Sequence, residues 1–241
     1  MIKKILCLIC CFLLSMIFVS NVLAINTDFE TTVIDGAEAS RKRRYLSLKE
    51  EEITKDKIFK GVLTSFDVSE SGKIVLCLEN HRLVIMDTNG EVLREFSYDG
   101  EKKTYACWKG ENILLYWGEA LIEITQDGDF VSIKKVIYNY HNTELLNDWK
   151  RTLKIETTDC VYQIKNKSVF MNPLTNMTYS QLVKIDAEGN EITLYDAHNT
   201  QFLKILIEAF FVIAFIITFL VVLFKVYKRM KNMSIDYGKN K

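Results

Sequence analysis

The chain has 241 residues, 31 Lys and Arg against 31 Asp and Glu, 49% hydrophobic residues and a single proline. The 177 residues from 25 to 201 are enough for one domain with a real core. The neutral total hides an asymmetry. Residues 25–201 hold 22 Lys/Arg against 29 Asp/Glu, a balance of −7. That acidic stretch argues against nucleic acid as a partner, because no basic surface exists to displace counterions.

Met1-Ile2-Lys3-Lys4 precedes an apolar run from Ile5 to Val19, and Val22-Leu23-Ala24 follows. A cationic start, a short apolar core and small residues near the cut are the parts of a signal peptide over 1–24, cleaved after Ala24. An uncleaved signal anchor is the alternative. Both place residue 25 outside the membrane.

Residues 25–58 form a charged linker with a possible strand at Thr31–Ile34 and the solvated basic quartet Arg41–Arg44. Ser47-Leu48-Lys49-Glu50 fits a capping box and predicts a short helix over about 48–57.

Self-similarity begins after residue 59. Gly72 to Gly90 and Gly110 to Gly128 both span 18 residues, and the two units are offset by 38. Leu83-Val84-Ile85-Met86-Asp87-Thr88-Asn89-Gly90 aligns with Leu121-Ile122-Glu123-Ile124-Thr125-Gln126-Asp127-Gly128. The second half returns at Leu182-Val183-Lys184-Ile185-Asp186-Ala187-Glu188-Gly189. Short runs rich in Val, Ile, Leu, Tyr and Phe, broken by Gly, Asn and Asp, predict β-meanders. Asn89-Gly90 and Asp127-Gly128 predict tight primed hairpins, with positive φ at both glycines. Asp87-Thr88-Asn89-Gly90 reads as a turn rather than a calcium loop, because the distal Glu and the further oxygen ligands are missing.

These units resemble the blades of WD40 and quinoprotein-like β-propellers, over 59–137 closely and 155–196 loosely. The resemblance implies a mainly β domain with about three propeller-like meander repeats at 59–201. Gly-His, Trp-Asp and tryptophan docking signatures are absent, so no family site residue carries over. Closure of a ring typically takes 4–8 blades. Three leave a strand edge that residues 25–58, the loop around Pro173 or another chain must cover. Thr143 to Lys150 predicts a helical turn between the second and third units.

Chemistry-bearing constellations are sparse. His81, His141 and His198 lie at no metal-ligand spacing, and no nucleophile, P-loop or dinucleotide motif occurs. No catalytic, cofactor or metal residue is therefore assigned. Cys77, Cys107 and Cys160 read as buried thiols, with one disulfide and a leftover thiol as the alternative. Trp108, Tyr116 and Trp117 gather near one hairpin; core or blade-interface packing is the default reading, and a ligand platform, with these three as the candidate binding residues, is the alternative.

Residues 202–224 predict a transmembrane helix, since about 20 apolar residues cross the hydrocarbon. Lys225 to Lys241 is a short basic tail, placed in the cytoplasm by the positive-inside rule and suited to touch anionic lipid. The expected protein is a single-pass cell-membrane protein with an extracytoplasmic β domain. It is expected to be non-enzymatic, with lipid and a protein partner, or its own copy through the open edge, as contacts. A ligand sensor coupled through the helix is the alternative, and an enzyme with an unrecognised site comes third.

Overall fold

The computed structural model describes residues 25–52, 61–99, 103–167 and 178–239. The leader, residues 53–57 of the expected helix and the loop around Pro173 lie outside the described residues. The chain divides into two compact units, one ending at His198 and one starting at Asn199.

The first unit is mainly β. It opens with β1 (Thr31–Val33), α1 (Gly36–Tyr45) and β2 (Lys49–Glu50). A first meander follows as β3 (Leu63–Val68), β4 (Ile74–Leu78), β5 (Arg82–Met86) and β6 (Val92–Ser97). A second is β7 (Thr104–Lys109), β8 (Asn112–Trp117), β9 (Ala120–Ile124) and β10 (Phe130–Val136). After α2 (Tyr140–Arg151) comes a third, β11 (Lys154–Glu156), β12 (Cys160–Lys165), β13 (Gln181–Asp186) and β14 (Glu191–Asp196). Each meander is one antiparallel sheet in sequence order. The linker adds a fifth strand to two of them, β2 on β6 and β1 on β10. Among the described residues β14 pairs only with β13.

The strand period of two explains the layering. The first sheet lies in the middle. Val75, Cys77, Leu83 and Ile85 meet Ala106, Ile113, Leu115 and Ile122 of the second sheet. From the opposite face, Phe66, Leu76, Val84 and Met86 meet Tyr162, Ile164, Leu182 and Tyr195 of the third. A sheet covered on both faces needs continuous apolar strands, which is why Ile74-Val75-Leu76-Cys77-Leu78 shows no alternation. The outer face of the second sheet carries Cys107, Leu114 and Leu121 beneath Leu145 and Trp149 of α2.

β7 is an edge strand, and β3 of the neighbouring sheet stitches it down with side chains. Ser65 Oγ accepts from the Ala106 N–H at 3.2 Å, and the Asp67 carboxylate accepts from the Trp108 N–H at 2.7 Å. Buried backbone donors are thereby satisfied without a paired strand.

Four turns share one design. In Ser69–Lys73, Asp87–Glu91, Thr125–Asp129 and Asp186–Asn190, the first residue's oxygen side chain accepts from the N–H four residues on. The fourth residue is a glycine at positive φ, +86° at Gly90, Gly128 and Gly189. The expected positive φ is present at Gly90 and Gly128, but the two-residue primed turn is not. Asn89 and Asp127 are not at positive φ. The Gly90 N–H returns to Asp87 O at 3.2 Å, and the Asp87 N–H reaches Glu91 O at 2.9 Å. This is a three-residue hairpin with glycine in the bulge position, and the polar first residue that closes it selects the longer loop.

Gly128 and Gly189 separate backbone strain from crowding. A Cβ on Gly189 meets nothing within 4 Å, whereas one on Gly128 lies 2.7 Å from Phe96 Cε1. Phe96 is 2% exposed and cannot yield. Gly189→Ala is expected to cost about 1 kcal/mol from φ alone, and Gly128→Ala about 1 kcal/mol or more beyond that. Urea melts of the two full-length variants in detergent check this, and equal losses would remove the crowding term.

The expected helix from about 48 is corrected. Lys49–Glu50 is strand β2, paired to Ser97 and Phe96. Arg94 forms an ion pair with Glu50, and Ser97 donates to Glu51 at 2.5 Å. The helix lies upstream, where Asp35 caps α1 by accepting from Ala37 N at 2.7 Å and Glu38 N at 2.9 Å. Leu46, fully buried between the first two sheets, ends it. The helix expected at 143–150 is present and longer, as α2.

The second unit is one helix. The helix α3 runs from His198 to Lys239, through the expected boundary at 224 and on along the basic tail. Its His198–Val226 stretch of 29 residues contains an 18-residue window of mean hydropathy 3.0 and is long and apolar enough to cross a membrane.

Candidate functional site

A groove of about 630 Å³ opens where the outer edge of the second sheet meets α2. Thr32 of β1, Tyr116 of β8, Val136 of β10, Leu146 and Lys150 of α2 and the connecting residue Tyr138 line it.

One asparagine holds these elements together. Asn142 is 3% exposed. Its Oδ1 accepts from the Glu30 N–H at 2.9 Å, and its Nδ2 donates to Glu30 O and Ile137 O, both at 2.8 Å. Both amide protons are spent and the oxygen is engaged, so it fixes the groove rather than offering itself to a ligand. Asn139 caps α2 by accepting from the Asn142 N–H at 2.8 Å, and its Nδ2 donates to Glu30 at 2.9 Å.

The opposite wall is a primed turn. Gly118 and Glu119 both have positive φ, 48° and 70°, between the paired Trp117 and Ala120. Glu119 is a side-chain-bearing residue in the left-handed region, held there by the Val136 N–H that its carbonyl accepts at 2.9 Å.

The groove's charge is mixed. Lys135, Lys150 and Glu119 all line it. Burial, and then the Lys103 charge, lower the Lys150 pKa. Its ammonium lies 5.5 Å from the centre of the Tyr105 ring. Burial, followed by the Glu119 charge, raises the Tyr116 pKa. These groups offer apolar and hydrogen-bonding contact, and no nucleophile paired with a base.

The rim is exposed. Tyr138 is 96% accessible and Ile137 37%. Tyr138 and the groove lie outside the sequence-based set. The signal was available in Tyr138-Asn139-Tyr140, two aromatics around a helix cap in a polar connection.

The three sequence-based candidates do not converge on one surface. Trp108 and Trp117 point toward the first sheet and pack in or against its core. Tyr116 points the other way, into the groove. Cys77, Cys107 and Cys160 are free thiols, the first two buried, and burial pushes the Cys77 thiol up to about 12. Among the described residues no group of three or more His, Cys, Asp or Glu is placed to hold a metal.

No protein-family model matches the chain, and no curated protein matches it. A solved structure of a protein of unknown function from Bacteroides caccae is similar at 12% identity with a TM-score of 0.28. The match covers 55% of this chain and 45% of that one, so it spans less than half of that chain's length.

Proposed function

We propose that the chain is an exported, membrane-anchored binding protein without catalytic activity, and that the groove beside Tyr138 receives a protein partner. In this reading the leader is cleaved after Ala24 and α3 crosses the cell membrane. The β domain is outside, and the basic end of α3 lies in the cytoplasm against anionic lipid. The three meanders are blades of an open propeller, with β1 and β2 as added edges.

The observation that carries the reading is the 96% exposure of Tyr138 on the rim of a groove of about 630 Å³. A solvated tyrosine beside a half-apolar groove is the composition of an interface core awaiting its partner. The volume also falls in the range of about 300–1,000 Å³ typical of small-ligand sites, which supports a ligand sensor as the second reading.

Site-specific photo-crosslinking in cells separates the two. A crosslinking residue at Tyr138 is expected to trap one discrete protein species, while the same residue at Ile192, 54% exposed on β14, traps none. Tyr138→Ala is expected to weaken that partner about tenfold or more while changing stability by less than about 0.5 kcal/mol. Equal yields at both positions would remove the partner reading. Ligand-induced stabilisation that Tyr138→Ala abolishes, without a crosslinked protein, would support the sensor.

A further inference from the structure

A second cavity, of about 320 Å³, lies between the Ser69–Lys73 turn and the β7–β8 turn. Ile25, Asp67, Glu70, Trp108, Lys109 and Glu111 line it. Asp67 is 5% exposed. Its oxygens accept from the Trp108 N–H at 2.7 Å and the Val68 N–H at 2.8 Å, and among the described residues it has no ion-pair partner. Besides Asp67, the charged residues that line the cavity are Glu70 on the first sheet and Lys109 and Glu111 on the second. Lys73, which closes the Ser69–Lys73 turn, donates to Gln126 at 2.7 Å. Lys109 is turned to Glu123 at 3.2 Å, and Glu111 accepts from Gln126 at 2.8 Å. The cavity is therefore acidic, with its one lining cation engaged elsewhere.

The chain's entry into this cavity is built, not loose. Ile25 is half-buried and packs against the cluster between the first and third sheets and the cluster under α2. The next residue's carbonyl accepts from the Trp149 indole N–H at 2.8 Å. Phe29, four residues on, is 9% exposed and stacks edge-on against Trp149 at 5.1 Å. The residue that follows the expected cleavage site is thus packed into the fold.

We propose that hydrolysis of the Ala24–Ile25 bond gives Ile25 an α-ammonium that stays in this cavity as the counter-ion of Asp67. The inference rests on the cleaved-leader reading above. A leader peptidase supplies the catalysis and water the atoms. The water oxygen goes to the Ala24 carbonyl carbon, which departs as a carboxylate. The Ile25 nitrogen keeps the bond electrons and takes up both protons of the water, which makes it the ammonium. Export would then complete the domain electrostatically as well as release it, because a buried carboxylate without a cation is costly and a paired one is not.

The test uses the full chain expressed with its own leader and extracted in detergent. A second version carries Gly-Ser inserted between Ala24 and Ile25, which moves the amine out of the cavity and leaves the core untouched. N-terminal sequencing of the native version is expected to begin at Ile25. Its α-amine is expected to acetylate on the order of tenfold more slowly at pH 7 than that of the inserted version, since a pairing worth one pKa unit removes nine-tenths of the free amine. Asp67→Asn in the native version is expected to erase that difference. A different first residue overturns the leader reading. Ile25 first with equal labelling rates overturns the pairing and leaves the leader reading standing.

Discussion

Trp149→Ala is expected to destabilise the β domain by about 3–5 kcal/mol, the range for emptying a large buried aromatic site. Trp149 is 2% exposed and, with Leu145 four residues earlier, forms the buried stripe of α2. Its ring meets Phe29 edge to face at 5.1 Å, and its indole N–H is spent on Asn26 O. Alanine removes the packing and leaves that carbonyl unpaired, so α2 and residues 25–29 loosen together. Urea melts should show the loss. Hydrogen exchange should rise first at Asn26 to Glu30 and along α2, ahead of the third sheet. A loss under about 1 kcal/mol would mean that α2 is not a structural cover of the second sheet.

What was legible and what was not follows from the range of each interaction. The meanders were legible because strand period, turn glycines and a repeated spacing are local. The turn type was half legible. Glycine predicts positive φ, but the choice between two- and three-residue loops depends on the side chains of Asp87 and Thr125 closing the ring. α1 was misplaced because two capping signals compete: Ser47 with Glu50, and Asp35 with Glu38. Pairing of Lys49–Glu50 with β6, more than forty residues away, decided between them, and no local pattern carries that information.

The site divides in the same way. Adjacent residues on a strand face opposite sides, so Tyr116 and Trp117 could not share a surface once β8 was accepted. That much was in the sequence. The groove was not, because it joins Thr32, Tyr116 and Asn142 through hydrogen bonds from Asn142 to Glu30, 112 residues apart. A chain fold that brings the linker back to the second sheet is a property of the core, not of any motif.

The pH dependence of stability is the other large expected effect, and it belongs to Asp67. With Ile25 nitrogen in peptide linkage, burial raises the Asp67 pKa from 3.8 to about 7, against the lowering pull of the Trp108 and Val68 N–H groups. The Gly-Ser-inserted protein keeps Ile25 in that linkage. Below about pH 4 its carboxyl is protonated in both the folded and unfolded states, and stability does not depend on it. Between about 4 and 7 the unfolded chain has released the proton while the folded chain still holds it. The folded state binds more protons, so this group makes stability fall as pH rises, by up to about 1.4 kcal/mol per unit. Over the whole window the loss is on the order of 4 kcal/mol, and above pH 7 the curve is flat again. Asp67→Asn in the same background should remove the slope, while giving up one of the two N–H contacts because the amide has a single acceptor oxygen. Native protein starting at Ile25 should also lack the slope, because its ammonium keeps Asp67 ionised. Urea midpoints of the three proteins from pH 4 to 8 read all of this. A flat profile for the inserted protein would show that Asp67 is ionised without help from the α-ammonium, leaving the cavity no need of a cation.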